Sequence, residues 1–82
     1  MTYVKMIKKE DDDKSVIYRF GPNENQMGEI EFNKEKKLFN VLKKVDDSKI
    51  SNLSYETWVM EHSIKMDYRN NGTFPDATSV EK

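Results

Sequence analysis

The single histidine, His62, has the side chain best suited to acid–base chemistry near neutral pH. A catalytic histidine needs an orienting carboxylate and a nucleophile beside it. Ser63 follows directly, but side chains of adjacent helical residues diverge by about 100°, and the chain has no Gly-x-Ser-x-Gly elbow. The pattern favours a half-buried histidine packed on a sheet. A small hydrolase or transferase using His62 is the alternative.

An unbroken acidic run, Glu10 to Asp13, has the oxygen ligands that Ca²⁺ and Mg²⁺ prefer. The ligand spacing of an EF-hand and its central glycine are both missing. We therefore interpret the run as a solvated loop whose like charges oppose strand pairing, and we expect no metal there. A Ca²⁺-binding loop is the competing interpretation.

Other cofactor chemistry has little support in the sequence. The three glycines stand at positions 21, 28 and 72, too far apart for a phosphate-binding loop. The chain has no cysteine, which excludes a disulfide framework, a thiolate metal site and a cysteine nucleophile. We expect no cofactor, no metal and no enzymatic activity, and the lack of cysteine fits a reducing, cytoplasmic setting.

Length and charge limit the classes of partner. The 82 residues are enough for one small domain, residues 1–82, and 35% of them are charged. The charges nearly cancel, to −1, with a pI near 5.8, so no basic footprint for nucleic acid is present. The N-terminal residues contain no long apolar run, which predicts neither a signal peptide nor a membrane-spanning helix.

The first half of the chain has the period-two alternation of strands. The predicted strands are Thr2–Lys9, Ser15–Phe20, Met27–Asn33 and Lys37–Lys44. They predict a four-stranded antiparallel meander that needs a cover on one face. For the last hairpin we predict that Phe32 pairs with Lys37, which places Ile30 opposite Phe39. Residues 73–82 are either a flexible tail or a short edge strand near Phe74.

Residues 55–70 fit two periods. Alternation from Trp58 to Tyr68 is nearly that of a strand, whereas signals at the ends favour a helix. Ser54 is a good N-cap, Leu53 and Trp58 fit a hydrophobic staple, and Gly72 fits a left-handed C-terminal cap. We predict a helix from Tyr55 to about Asn70, with the strand as the alternative. The expected fold is α+β, a four-stranded antiparallel sheet covered by this helix.

The predicted helix has apolar residues on two sides. One stripe, which contains Tyr55, Trp58, Val59, His62 and Met66, would cover the sheet. Met60, Ile64 and Tyr68 would then point outward as apolar anchors for a partner, with Glu61 and Lys65 as a charged rim. In the competing interpretation the helix is rotated, so that Met60 and Ile64 are buried and Tyr55 and His62 are exposed.

Two stretches, "IYRFGPNENQMGEIEFNKEKK" and "EHSIKMDYRNNGTFPD", together resemble a family of small, mostly uncharacterised bacterial proteins. The shared pattern is an aromatic strand, a loop with proline, a G-x-I-x-F-N-K hairpin and a helix closed by G-x-F-P. The matching residues are Ile17, Tyr18, Pro22, Gly28, Ile30, Phe32, Asn33, Lys34, His62, Gly72, Phe74 and Pro75. Some members lie near toxin-immunity loci, so the resemblance implies a binding role. The segment "ATSVEK" departs from the apolar, aromatic final strand of that family.

We therefore predict a non-enzymatic protein-binding module with an immunity-like or accessory role. Its expected partner is another protein or a second copy of itself, with neither nucleic acid nor membrane involved. The residues expected to carry binding are Met60, Ile64, Tyr68, Glu61 and Lys65.

Overall fold

The computed structural model describes residues 3–23, 25–45, 52–69 and 73–81, with the side chains of the helix described from Ser54 onward. In these ranges the elements are β1 (Tyr3–Asp11), β2 (Ser15–Gly21), β3 (Gly28–Asn33), β4 (Leu38–Lys43), α1 (Asn52–Arg69) and β5 (Ala77–Glu81). The strands form one antiparallel sheet in the order β4-β3-β2-β1-β5. The α+β class and the helix across the sheet are confirmed.

The predicted count of four strands is wrong, because the chain adds β5 beside β1. This strand pairs antiparallel with β1, with Val4 opposite Val80. The side chains of Val80 and Thr78 both face the helix side of the sheet. Val80 is buried in the core and Thr78 is half-buried. Of the two predictions for residues 73–82, the edge strand is correct for residues 77–81, although it begins three residues after Phe74.

The prediction that the acidic run forms a solvated loop is correct for Asp12 and Asp13, which lie in the exposed β1–β2 turn, and wrong for the first two residues of the run. β1 continues through Glu10 and Asp11, which pair with Ile17 and Val16 after a bulge that follows Lys8. The charge of Asp11 is compensated, because Lys34 and Lys8 both form ion pairs with it. The negative charge of Asp11 therefore does not prevent strand pairing, because lysine side chains neutralise it in the folded chain.

The predicted register of the β3–β4 hairpin is wrong by two residues. Phe32 pairs with Phe39 and Ile30 with Val41, so the apolar residues stay on the predicted face. The turn accounts for the shift, because the Asn33 side chain accepts hydrogen bonds from the backbone N–H groups of Glu35 and Lys36. Lys37 then adopts a left-handed conformation with φ 58° and stays in the turn instead of pairing.

The helix interpretation is confirmed over residues 55–69, and the strand alternative is wrong there, while residue 70 lies outside the described parts of the chain. The helix begins at Asn52, three residues earlier than predicted, so Ser54 lies inside it rather than at its N-cap. The predicted roles of the Leu53 side chain and of Gly72 fall outside the described parts of the chain.

One face of the sheet packs against one face of the helix. Tyr55, Val59, Ser63 and Met66 are buried on α1. They meet sheet residues that alternate inward: Val4, Met6, Val16, Tyr18, Phe20, Ile30, Phe32 and Val80. Ile64 and Tyr68 are 54% and 87% exposed. The rotated helix, which would bury Ile64 and expose Tyr55, is therefore wrong. Met60 is half-buried and packs against the core.

Candidate functional site

A cleft of about 300 Å³ lies between α1 and β5. Its lining residues are Trp58, Glu61, His62 and Lys65 from the helix, with Ser79, Val80 and Glu81 from the strand. The helical residues are spaced by three, one and three positions, which places them on one stripe of an α-helix. The cleft therefore follows the helix along the edge of the sheet, and we call it the edge groove.

The strand that borders the edge groove presents backbone groups outward. The N–H of Lys8 donates to the carbonyl of Asp76 over 2.7 Å, which identifies that pair as hydrogen-bonded. Hydrogen-bonded and non-hydrogen-bonded pairs alternate along an antiparallel ladder. The next residues of β5 whose backbone N–H and C=O groups face β1 are therefore Thr78 and Val80. The backbone N–H and C=O groups of Ala77, Ser79 and Glu81 thus point away from β1. No strand in the described ranges pairs with that side.

His62 is held inside the edge groove by a neutral hydroxyl. Its Nε2 atom lies 3.1 Å from the Thr78 Oγ1 atom. Burial, and then the positive charges of Lys65 and Arg69, lower the pKa of His62 below its ordinary value of 6.5. The ring is therefore neutral at pH 7 and serves as a packing and hydrogen-bonding group. Among the residues that the structure describes, no carboxylate forms the orienting hydrogen bond to His62 that typifies a general base.

The side chain next to His62 does not provide a nucleophile. Ser63 is only 2% exposed, and its hydroxyl donates to the Val59 carbonyl over 2.8 Å. It lies on the sheet-facing side of α1, whereas His62 faces the edge groove. Ser63 is therefore not an accessible nucleophile for the hydrolase or transferase alternative, which stays a prediction.

The acidic run is dispersed by the fold. Asp12 caps the β1–β2 turn by accepting hydrogen bonds from the N–H groups of Lys14 and Ser15, whereas Asp11 forms ion pairs with Lys8 and Lys34. Burial opposes ionisation of Asp11, but the two lysines outweigh it and hold its pKa below 3.8. No cluster of three or more metal-binding side chains occurs within the described residues.

The residues predicted to bind a partner lie in three different places. Glu61 and Lys65 line the edge groove, and Ile64 and Tyr68 are exposed on the adjoining side of the helix that faces solvent. Met60 lies apart from them against the core. Binding by this set stays a prediction.

Sequence reasoning missed the contribution of β5 to this site. Trp58 packs against the core, as its place in the sheet-covering stripe predicts, but it is only half-buried and also lines the edge groove together with Ser79 and Glu81. The β-branched pair Thr78 and Val80, separated by one polar residue, was the available signal for a strand. This sequence signal is short, and it does not show where the strand lies, because the edge position of β5 depends on its pairing with β1.

No helix in the described part of the chain has the length and apolar character needed to cross a membrane. No family model matches the chain, and the comparisons with curated proteins and with solved structures also found no match. The resemblance to a family of small bacterial proteins stays a prediction.

Proposed function

We propose that this domain is a non-enzymatic protein-binding module that takes up an extended peptide segment as an added strand on β5. The observation that carries the proposal is the outward direction of the backbone groups of Ala77, Ser79 and Glu81 beside the edge groove. The immunity-like or accessory role and the cytoplasmic setting predicted from the sequence belong to the same proposal.

The composition of β5 supports strand addition. Edge strands that avoid pairing usually carry lysine, proline or a bulge. Residues 77–81, "ATSVE", contain no lysine or proline, and they pair with β1 without a register break. Such an edge offers a guest strand a regular series of donors and acceptors.

The edge groove gives strand addition a source of side-chain specificity. Alternate residues of an added strand point to the same face of the sheet. Those on the helix side would enter the edge groove beside the Trp58 ring, with Glu61 and Lys65 at its rim. We expect guests with an apolar or aromatic residue at that position, because a half-buried indole provides a large apolar contact.

Selection from random peptides displayed on phage tests the proposal. The key variant is Ser79→Pro, because the Ser79 N–H points outward and its loss leaves the ladder with β1 intact. The matched control is Ser79→Ala, which keeps that N–H.

We expect selected peptides to bind the wild type and Ser79→Ala with similar Kd, and Ser79→Pro at least about tenfold more weakly, a loss of about 1.4 kcal/mol. Circular dichroism checks that each variant is folded. The proposal is wrong if no peptide is selected, or if folded Ser79→Pro binds the selected peptides as the wild type does.

A further inference from the structure

We infer that the segment taken up by β5 is β5 of a second copy of this chain, related to the first by a two-fold axis through Ser79. This inference rests on the proposed strand addition and names its occupant. Each copy contributes five strands, so the dimer would have one continuous ten-stranded antiparallel sheet.

The pattern of outward-facing residues selects this register. A two-fold axis at Ser79 makes Ser79 pair with its own copy, while each Ala77 pairs with the second copy's Glu81. All three are residues whose backbone groups point outward. A two-fold axis at Val80 would leave Ala77 without a residue opposite it in β5. The register at Ser79 is therefore the one in which the whole strand Ala77–Glu81 pairs.

The side chains fit this register as well. Thr78 lies opposite the second copy's Val80, a non-hydrogen-bonded pair of β-branched residues in which side chains come close. The two Glu81 residues lie four strand positions apart, or about 13 Å. That separation exceeds the Debye length of about 8 Å at physiological salt, so their repulsion is small.

Charges on the helix are complementary under the same symmetry. A two-fold axis perpendicular to the sheet makes the two α1 helices antiparallel, so that Glu61 of one copy faces Lys65 of the other. The axis lies near the middle of this pair, because His62, between them in sequence, reaches Thr78, the neighbour of Ser79. Both residues already line the edge groove.

The edge groove provides the apolar contact that the pairing of strands needs. The grooves of the two copies would join across the axis, with the half-buried Trp58 of each copy at its wall. Water would be excluded from the new backbone hydrogen bonds, and aromatic residues at such positions carry much of the binding free energy of an interface.

Sedimentation of the full chain from low micromolar to about 1 mM tests the inference. We expect a concentration-dependent dimer whose Kd is raised at least about tenfold by Ser79→Pro and by Lys65→Glu. The double variant Glu61→Lys with Lys65→Glu keeps complementary charges, so it is expected to restore the dimer. Amide hydrogen exchange provides the second readout, because Ser79 N–H becomes protected only in the dimer.

A wild type that stays monomeric at 1 mM overturns the inference, as does a dimer whose Kd is unchanged in both single variants. Peptide selection separates the two proposals. A monomer whose selected peptides are lost in Ser79→Pro overturns the dimer alone, whereas failure of both experiments also overturns strand addition.

Discussion

The segment that follows α1 serves two different purposes along its length. At its start, residues 73–76 cover part of the core, and the Phe74 side chain is buried there. We call these four residues the Phe74 corner. The Phe74 ring lies 5.7 Å from that of Phe32 and 6.4 Å from that of Tyr18, in edge-on contacts. The Tyr18 hydroxyl donates to the Pro75 carbonyl over 2.6 Å. The Phe74 corner is thus packed and hydrogen-bonded.

Five residues later the same segment forms one of the two edge strands of the sheet, opposite the edge formed by β4. Val80 is buried, but the backbone groups of Ser79 and Glu81 point outward and Trp58 is only half-buried. Both parts of the segment contribute to the core, but the Phe74 ring is enclosed by aromatic rings from β2 and β3, whereas the outer side of β5 meets no strand in the described ranges.

Truncation at the Phe74 corner is expected to have the largest effect. Phe74 is 3% exposed, so Phe74→Ala should lower the free energy of unfolding by about 3–5 kcal/mol. A domain of this length has about 4–12 kcal/mol in total, so the variant would be close to unfolding. Urea denaturation measures the loss. The control, Tyr68→Ala, removes an aromatic ring that is 87% exposed and should change stability by less than about 0.5 kcal/mol. Equal losses in the two variants would contradict the contrast.

Truncation at the edge groove should separate stability from binding. Trp58 is half-buried and its ring lies 5.9 Å from that of Tyr55. Trp58→Ala should lower the free energy of unfolding by about 1–2 kcal/mol, less than Phe74→Ala, because less apolar area is lost. It should also weaken peptide binding and self-association at least about tenfold. Urea denaturation and sedimentation together make the comparison, and unchanged association in a folded Trp58→Ala would argue against the edge groove.

One hydroxyl tests how much the Phe74 corner depends on hydrogen bonding. Burial raises the pKa of Tyr18, so its hydroxyl remains a donor to the Pro75 carbonyl at all ordinary pH values. Tyr18→Phe keeps the ring and removes the donor, which should lower the free energy of unfolding by about 1 kcal/mol. Tyr68→Phe, on the exposed side of the helix, is the matched control. A loss of stability in the control alone would reverse the interpretation.

The smallest expected effect is the pH dependence that arises at the edge groove. The pKa of His62 is lowered in the folded chain, so the unfolded chain binds a proton first as pH falls. The free energy of unfolding should therefore be fully retained above pH 6.5 and decrease as pH falls below that value. His62→Gln, which keeps a hydrogen-bonding group near Thr78, should remove this decrease. Urea denaturation between neutral pH and about pH 5 measures it, and a rise in stability toward acid would show the sign to be wrong.

The contribution of Asp11 to the free energy of unfolding is expected to be lost in a separate, more acidic pH range. Its pKa is below 3.8 in the folded chain, so its contribution is present above that value and is lost as pH falls further. A decrease that begins near pH 6.5 is therefore assigned to the edge groove rather than to the β1 ion pairs.

Most of the elements could be predicted from local pattern. Alternation in "SVIYRF" and "GEIEF" identified β2 and β3, because a period of two has one structural solution when one face is buried. The sheet-covering stripe on the helix was also correct for Tyr55, Val59 and Met66. Of the residues predicted to bind a partner, Glu61 and Lys65 line the edge groove and Met60 packs against the core, and binding by them stays a prediction.

The errors share a physical cause. Glu10 and Asp11 were assigned to a loop because their neighbours in sequence are acidic, and the compensating Lys34 is 23 positions from Asp11. The hairpin register depended on hydrogen bonds that the Asn33 side chain accepts from backbone N–H groups inside the turn. In both cases a specific side-chain contact, distant in sequence for Asp11 and local for Asn33, outweighed the alternation of the strands.

By itself, the sequence determined the type of most elements and the face that each one buries, because periodicity and apolar spacing are properties of neighbouring residues. Only the tertiary structure decided that β5 pairs with β1 and ends the sheet. That pairing joins Val4 to Val80 across almost the whole chain, and its free energy comes from a core assembled from all the other elements. The edge groove follows from that assembly, whereas local pattern led only to the alternative of a short edge strand near Phe74.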